Sequence, residues 1–580
     1  MKTDLSSRLD SLRAAAPAIA PVQVEGARLV VLFFSFTDGS RRAETITATG
    51  ATLDEAWAAG SAQVAAAGAG HDWLRVDWVD AVERRTWAEL KAALPNIKRN
   101  YFRLGIALDP QFRHAFLETE LNANAMLYGG NRQPGGTLNA ANFRRYAALR
   151  HGLEAVAFAE AEPVWLFTTR GLFAGDDGKV HPLSGAGLDA GRRTVGELSP
   201  ENVGELIAAG SRYLATQVAD DGRFHYGWHP CFDRPIRAYN ALRHASTVYA
   251  MLEAWEVTGG ERLGQAIDRA RGFLVRELIR PGRAAGGEEA AFLLDVGNEI
   301  KLGGNAVAIL ALLKHHELTG DAGSLALACR LGRGILRMQD GATGSFSHVL
   351  AYPSLAEKEP FRIIYYDGEA AFALMRLHAA TGEARWLEAV ERAFEHFIGQ
   401  EHWKAHDHWL GYAVNELTRH RPEERYYRFG LDNVRDHLGF VLERITTFPT
   451  LLELMTAAES MIARLRGDPS RRHLLDSIDL GRFHRALDHR ARYLLNGHFW
   501  PELAMFYARP RKIAGSFFIR HHAFRIRIDD VEHYLSGLVA YRRLLLARAG
   551  KDGARHRPPA TEGHHWRPAD LTRATGGRWL

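Results

Sequence analysis

Cysteine is almost missing from this chain. Cys231 and Cys329 are the only two in 580 residues, which excludes a disulfide framework and any structural zinc site built on cysteine alone. A reducing compartment suits such a composition. Charge of one sign is also scarce: the formal net charge is +5, with basic and acidic residues interleaved. No tract of the kind that binds a phosphate backbone is present, so no nucleic-acid partner is expected. Long hydrophobic runs are missing too. Leu29 to Phe36 has the length of a strand, well short of the roughly 18 apolar residues that mark a membrane span. The N-terminus carries Asp4 and Asp10 around Arg8 and Arg13, and its apolar stretch from Ala14 to Val22 contains two prolines, a poor match to a signal peptide. The expectation is a cytoplasmic protein with no membrane partner.

What is present is ordinary for a globular chain, with 46% hydrophobic, 24% charged and 10% aromatic residues. The length exceeds the roughly 250–300 residues at which one core stops growing, so more than one domain is expected. The first part mixes periods. Leu29 to Phe36 is apolar and β-rich, Arg42 to Thr49 alternates, Leu53 to Ala67 reads as an Ala-rich helix, and further β-like pieces lie at Trp73 to Val79, Phe102 to Leu108 and Val164 to Thr169. This predicts an α/β unit ending near the glycines 185, 187 and 191.

From there the pattern reads as helices only, and it repeats. Thr258-Gly259, Thr319-Gly320 and Thr381-Gly382 each follow a small-residue apolar helix and precede an amphipathic one. Each glycine suits a left-handed helix C-cap, and the contrast in apolarity separates inner from outer helices. Inner helices are expected to begin near Asn240, Asn305, Gly368, Leu410, Pro449 and Asp530, and outer ones near Val203, Leu263, Ser324, Arg385, Glu424 and Ile478. Six pairs close a ring; an open solenoid is the alternative. The fold class is therefore mainly α: an N-terminal extension at 1–25, a smaller α/β domain at 26–195, an (α/α)6 toroid at 196–550, and a flexible tail at 551–580.

Loops leading into inner helices converge at one mouth of such a toroid, and here they carry the groups able to do chemistry. The first places Asn240, Arg243 and His244 at a helix start, with Asn240 as an N-cap and His244 as a core histidine the alternative reading. The second supplies Glu299, Lys301, a Gly303-Gly304 pair open to a ligand, and Asn305. The third sets Tyr365, Tyr366, Asp367 and Glu369 at the next start, where Asp367 and Glu369 suit acid/base work or capping. The fourth gives His408, Trp409, Tyr412 and Glu416, aromatic beside polar as a sugar face requires, with Trp409 as core filler the other reading. The fifth gives Thr446 and Thr447. The sixth is the densest, with His521, His522, Arg525, Arg527, Asp529, Asp530 and His533. Adjacent carboxylates beside arginines have their pKa values pushed apart, which suits an acid and a base. The histidine spacing matches neither a His-Glu-x-x-His helix nor a zinc finger, so neither metal nor other cofactor is expected.

From about Val203 to Leu546 this arrangement resembles the six-hairpin glycosidase-like superfamily, including unsaturated glucuronyl and rhamnogalacturonyl hydrolases, and the neighbouring N-acylglucosamine 2-epimerase group. The Asp529-Asp530 pair is similar to the aspartates that the glucuronyl hydrolases carry at this mouth, and His244 and His408 are similar to the histidines of the epimerases. The resemblance implies a carbohydrate-active enzyme hydrolysing a glycosidic or unsaturated uronyl bond, with Asp367 and Asp530 leading as acid and base and Glu369, Asp529 and His244 beside them. Substrate contacts would come from Asn240, Arg243, Lys301, Asn305, Tyr366, His408, Trp409, Arg525, Arg527 and His533. Arg243, Lys301, Arg362, Arg525 and Arg527 together would balance an acidic saccharide. An epimerase or isomerase using histidine proton transfer, and a glycan-binding or scaffold protein without catalysis, are the competing readings.

Overall fold

The computed structural model describes residues 5–67, 72–185 and 187–553. Of the tail expected at 551–580, residues 554–580 lie outside that set. Twelve helices carry the ring. Outer α1 (Pro200–Gln217), α3 (Glu261–Phe273), α5 (Ala322–Arg337), α7 (Ala384–Gly399), α9 (Glu424–Arg435) and α11 (Leu480–Tyr493) alternate with inner α2 (Ala241–Thr258), α4 (Leu302–Thr319), α6 (Tyr365–Thr381), α8 (His408–His420), α10 (Thr450–Arg466) and α12 (Ile528–Gly553). Each inner helix packs on the next, and α12 returns to pack on α2. The ring is closed, and an open solenoid is excluded.

The reasons are local. Several starts are marked chemically: Ser199, Asn240, Asp321, Asp407 and Asp479 each cap a helix with a side-chain oxygen, satisfying backbone N–H groups that the helix itself cannot. At the far ends, Gly320 and Gly382 adopt the left-handed conformation and return an N–H to His316 and His378. Gly259 has φ of 62° but ψ of −146°, so the first repeat closes by a different turn. Inner α4 is buried continuously from Leu302 to His315, whereas outer α7 buries one stripe, including Trp386, Val390 and Phe397. A helix apolar all round needs neighbours on every side, and that drives closure of the ring.

Helices alone do not describe the region after residue 200. The loops into α4 and α6 build a five-stranded antiparallel sheet (Ile279–Arg283, Glu289–Asp295, Glu299–Lys301, Val349–Ala351, Glu357–Glu359), and Gly227–His229, Arg234–Pro235 and Ile526–Arg527 make a three-stranded one. These strands are too short to show a period in the sequence. The small sheet joins the entries of α2 and α12, since Ile526 pairs with Trp228.

The N-terminal residues form an eight-stranded sheet whose pairings are all antiparallel, with Ala27–Thr37, Trp73–Thr86 and Pro163–Ala174 as its central strands. Phe33, Phe112 and Phe167 share one continuous core with Phe499 and Phe518 of the segment between α11 and α12. The two parts are also bolted by charge. Glu502, fully buried, receives the backbone N–H of Arg193 at 2.9 Å and its guanidinium at 3.0 and 2.8 Å. No helix among the described residues is long and apolar enough to cross a membrane.

Candidate active site

The inner-helix starts converge, as the topology requires, but the groups that meet on the axis are not those with the densest sequence signal. One ring nitrogen of His408, one of His533 and one carboxylate oxygen of Glu453 lie within 4.8 Å of one another. They come from the first two turns of α8, α12 and α10. The His533 Nδ1 donates to Glu453 Oε1 at 2.9 Å and lies 3.4 Å from Glu532 Oε1, while Tyr412 donates its hydroxyl to the other Glu453 oxygen at 3.1 Å. Burial by itself would lower the His533 pKa, but Glu532 and Glu453 outweigh it and push it up to about 10. Burial holds the Glu532 carboxyl above the ordinary range. Two carboxyls thus face one imidazolium, and Glu453 takes the hydrogen bond.

His408 is held differently. Its Nδ1 lies 3.1 Å from Asp407 Oδ1, and its Nε2 is buried without a hydrogen-bond partner. Asp407 Oδ1 is itself buried without a hydrogen-bond partner, so the two groups meet at ion-pair distance without hydrogen-bond geometry. The two imidazole rings stand 5.4 Å apart at 78°. Tyr365, 37% exposed, borders His408 at 5.9 Å between ring centroids. Below them an axial cavity of about 420 Å³ is lined by Glu453, Trp409, Tyr412, Phe372 and Arg376.

Glu369 projects from α6 into the same interior. It is buried with Oε2 unpartnered, and burial reinforced by Asp407 raises its pKa well above the usual carboxylate range. It fits because residue 303 is glycine: a Cβ there would stand 1.8 Å from Glu369 Oε2 and 2.5 Å from the Tyr366 ring. The Gly303-Gly304 pair therefore makes room for a side chain and does not open backbone to a ligand. Gly303→Ala is expected to displace Glu369 and Tyr366 and to destabilise by about 1–3 kcal/mol, read by urea unfolding; an unchanged midpoint would mean that the Glu369 seat is not as tight as described.

Other expected site residues are held in structural roles. His244 is removed from the mouth: fully buried between α2 and α3, it uses Nε2 on the Ala270 carbonyl at 2.8 Å and Nδ1 on the Tyr239 hydroxyl at 2.7 Å, and burial pulls its pKa down to about 4. Asn240 caps α2, and Asn305 binds the backbone of Leu293 and Lys301. Asp367 reaches His348 Nε2 at 3.2 Å, and His348 Nδ1 accepts the Arg362 N–H at 2.9 Å, so this carboxylate anchors a loop. Asp530 takes the Arg525 guanidinium at 2.9 and 3.0 Å and the Arg527 N–H at 3.1 Å. Asp529 pairs with Arg243 at 2.7 Å and Arg527 at 2.8 Å and keeps Oδ1 buried and unpartnered. Trp409 is 3% exposed and packs on Phe372 and Tyr412; Tyr366 lies against His348.

The five cations expected to meet an acidic substrate are already neutralised. Arg243 and Arg527 hold Asp529, Arg525 holds Asp530, Lys301 holds Asp295 at 2.6 Å, and Arg362 binds Glu299 and Glu359. Arg243–Asp529 and Arg362–Glu299 join different loops, which linear spacing does not reveal, whereas the other partners lie within six residues in the chain. Glu453 and Glu532 were not singled out in the sequence, although a lone glutamate in Leu451-Leu452-Glu453-Leu454-Met455 is a signal in itself. His408, His533 and Glu453 are also the one group among the described residues able to converge on a metal ion. Metal binding would require breaking the His533–Glu453 hydrogen bond, so the donors fit a proton-transfer set better than a coordination shell.

The fold and mouth define an (α/α)6 toroid with an imidazole pair on its axis. No family model and no curated protein matches the chain. Among solved structures it is similar to a cellobiose 2-epimerase from Bacillus thermoamylovorans B4167 (10% identity, TM-score 0.44, 59% of this chain and 99% of that one). It is similar as well to a D-mannose isomerase (11%, 0.45, 60% and 98%). An α-1,6-mannanase from Salegentibacter sp. HEL1_6 also matches (12%, 0.30, 59% and 99%). At such identities the likeness is one of fold.

Proposed function

We propose that the mouth is a proton-transfer site acting on a saccharide, moving a proton at the carbon beside the carbonyl of an open-chain sugar, as in epimerisation or aldose–ketose isomerisation. The observation that carries this is the pair of imidazoles on the axis, His533 held in its acid form by Glu453 and Glu532 and His408 with a buried, unpartnered Nε2. His408 Nε2, buried and unpartnered, takes the carbon-bound proton, and the His533 imidazolium gives its proton toward the carbonyl oxygen as negative charge develops there. Returning a proton to the opposite face of the same carbon inverts it, and returning it to the neighbour isomerises the sugar. Tyr365 beside His408 supplies an apolar face for sugar C–H groups.

The test is incubation with a panel of aldoses, ketoses and uronates in D2O. Proton transfer predicts one carbon-bound deuterium in recovered sugar. Release of a new reducing end without incorporation would instead support glycoside hydrolysis, which the buried, protonated Glu369 favours as a general acid. A pH prediction follows from the His533 environment. Because its pKa is raised to about 10, the acid form is retained at neutral pH and lost as pH rises through that value, so the rate should fall on that side. Glu453→Gln removes a charge that raises it and should move this alkaline limb down by roughly 1–3 units; an unmoved limb would exclude His533 as the acid.

A further inference from the structure

The paired state of the five mouth cations leaves a different group of cations without counter-charge. Lys98 and Arg99 of the N-terminal part are joined to the entry of α12, where Asn100 Nδ2 donates to the Arg520 carbonyl at 2.8 Å and Arg520 returns a bond to the Asn100 carbonyl at 3.3 Å. Arg444, on the entry of α10, lies over the Phe440 and Phe448 rings at 4.9 and 5.2 Å and donates to Thr446 Oγ1 at 2.6 Å. Its loop is built on Arg490, a fully buried guanidinium that donates to the carbonyls of Val441, Arg444, Thr446 and Thr447. Among the described residues, none of these four cations has a carboxylate within ion-pair distance.

His521 and His522 complete the cluster, their rings 4.3 Å apart, and His521 Nδ1 is buried without a hydrogen-bond partner. Burial, together with the repulsion of Arg444 and Arg99, holds Lys98 below its ordinary pKa, and burial with neighbouring cations pulls His521 to about 3. Two carboxylates of the neighbouring segments are engaged elsewhere, Glu118 by Arg103 and Arg520 and Asp530 by Arg525 and Arg527. Partly buried cations gathered without an anion repel one another in a medium that screens less than water, and a bound anion removes that repulsion. The position matters as well. His521 and His522 lie on the segment that enters α12, and Arg444 on the segment that enters α10, so the cluster sits beside the starts of those two helices.

We propose that Lys98, Arg99 and Arg444, with His521, form a subsite for an anionic group of the substrate, phosphate or carboxylate, with one wall supplied by the N-terminal part. This rests on the saccharide reading above and names its substrate class as an anionic sugar. It also gives the N-terminal part a role in the site.

The test is titration calorimetry of the full chain at low ionic strength with inorganic phosphate and, separately, with glucuronate. Saturable binding of phosphate alone assigns a phosphorylated sugar, and of glucuronate alone a uronate; binding of both leaves the anion class supported. Lys98→Ala and Arg444→Lys, the latter keeping charge and stem over the phenylalanines, should each weaken binding about tenfold, with circular dichroism unchanged. Failure of both anions to bind, or binding that neither substitution weakens, overturns the subsite. The two proposals fail separately. Anion binding without deuterium incorporation in any sugar would leave the subsite and remove the proton-transfer reading, and incorporation into neutral sugars without anion binding would do the reverse.

Discussion

Replacing His408 by Asn is expected to lower kcat by roughly 10²–10⁴-fold, the usual contribution of one positioned acid or base, while the melting temperature stays nearly unchanged. The asymmetry has a physical basis. His408 Nε2 has no hydrogen-bond partner to lose, and asparagine preserves a polar group beside Asp407. His533→Asn should reduce turnover similarly but also destabilise, because Glu453 and Glu532 would lose their shared counter-ion. The double variant should be little slower than either single one, since both residues serve one transition state. Deuterium incorporation into the sugar that the wild type turns over is the readout. An His408→Asn protein of undiminished rate would end the proton-transfer reading.

The largest effect on stability is expected at the bolt between the two parts of the chain. Glu502→Gln leaves the Arg193 guanidinium, itself largely buried, without its charge partner, and breaking such a pair typically destabilises by about 3–5 kcal/mol. The same pair gives a pH signature. Burial alone would raise the Glu502 pKa, but Arg193 and the hydrogen bonds it makes outweigh burial and lower it. A depressed folded-state value means that the contribution is present above the ordinary glutamate range and is lost as pH falls through the lowered one. Wild-type stability in urea should therefore fall on acidification more steeply than that of Glu502→Gln, and parallel pH profiles would remove Glu502 from the account.

Much of the ring was legible because its signals are local. Helix caps, Thr-Gly punctuation and the contrast between apolar and amphipathic helices lie within a few residues of one another, and the expected starts at Asn240, Pro449 and Glu424 fall close to α2, α10 and α9. The small sheets at the mouth were not legible, since strands such as Glu299–Lys301 acquire identity only from partners, here Val349–Ala351, far along the chain. The site followed the same division. Which loops would meet was readable; which charges would cancel was not, because Arg243 finds Asp529 across 286 residues. Asp367 and Asp530 drew attention as carboxylates at helix starts, and the folded chain uses both to fasten loops. Glu453 does the reverse: a single acidic residue inside an apolar helix, it takes its meaning from His533 and Tyr412 on two other helices.

Ring closure has a consequence for how the chain is made. Helix α2 meets its second inner neighbour, α12, only through the last described segment, with Arg243 on Asp529, Ser246 on Glu532 and Ser536 on Glu253. During synthesis the apolar flanks of α2 and α10 stay bare until residues beyond Ile528 have left the ribosome, and His533 arrives with that same helix. A nascent chain therefore holds no complete mouth until that helix has emerged, and its exposed flanks are the surfaces that folding helpers would have to shield.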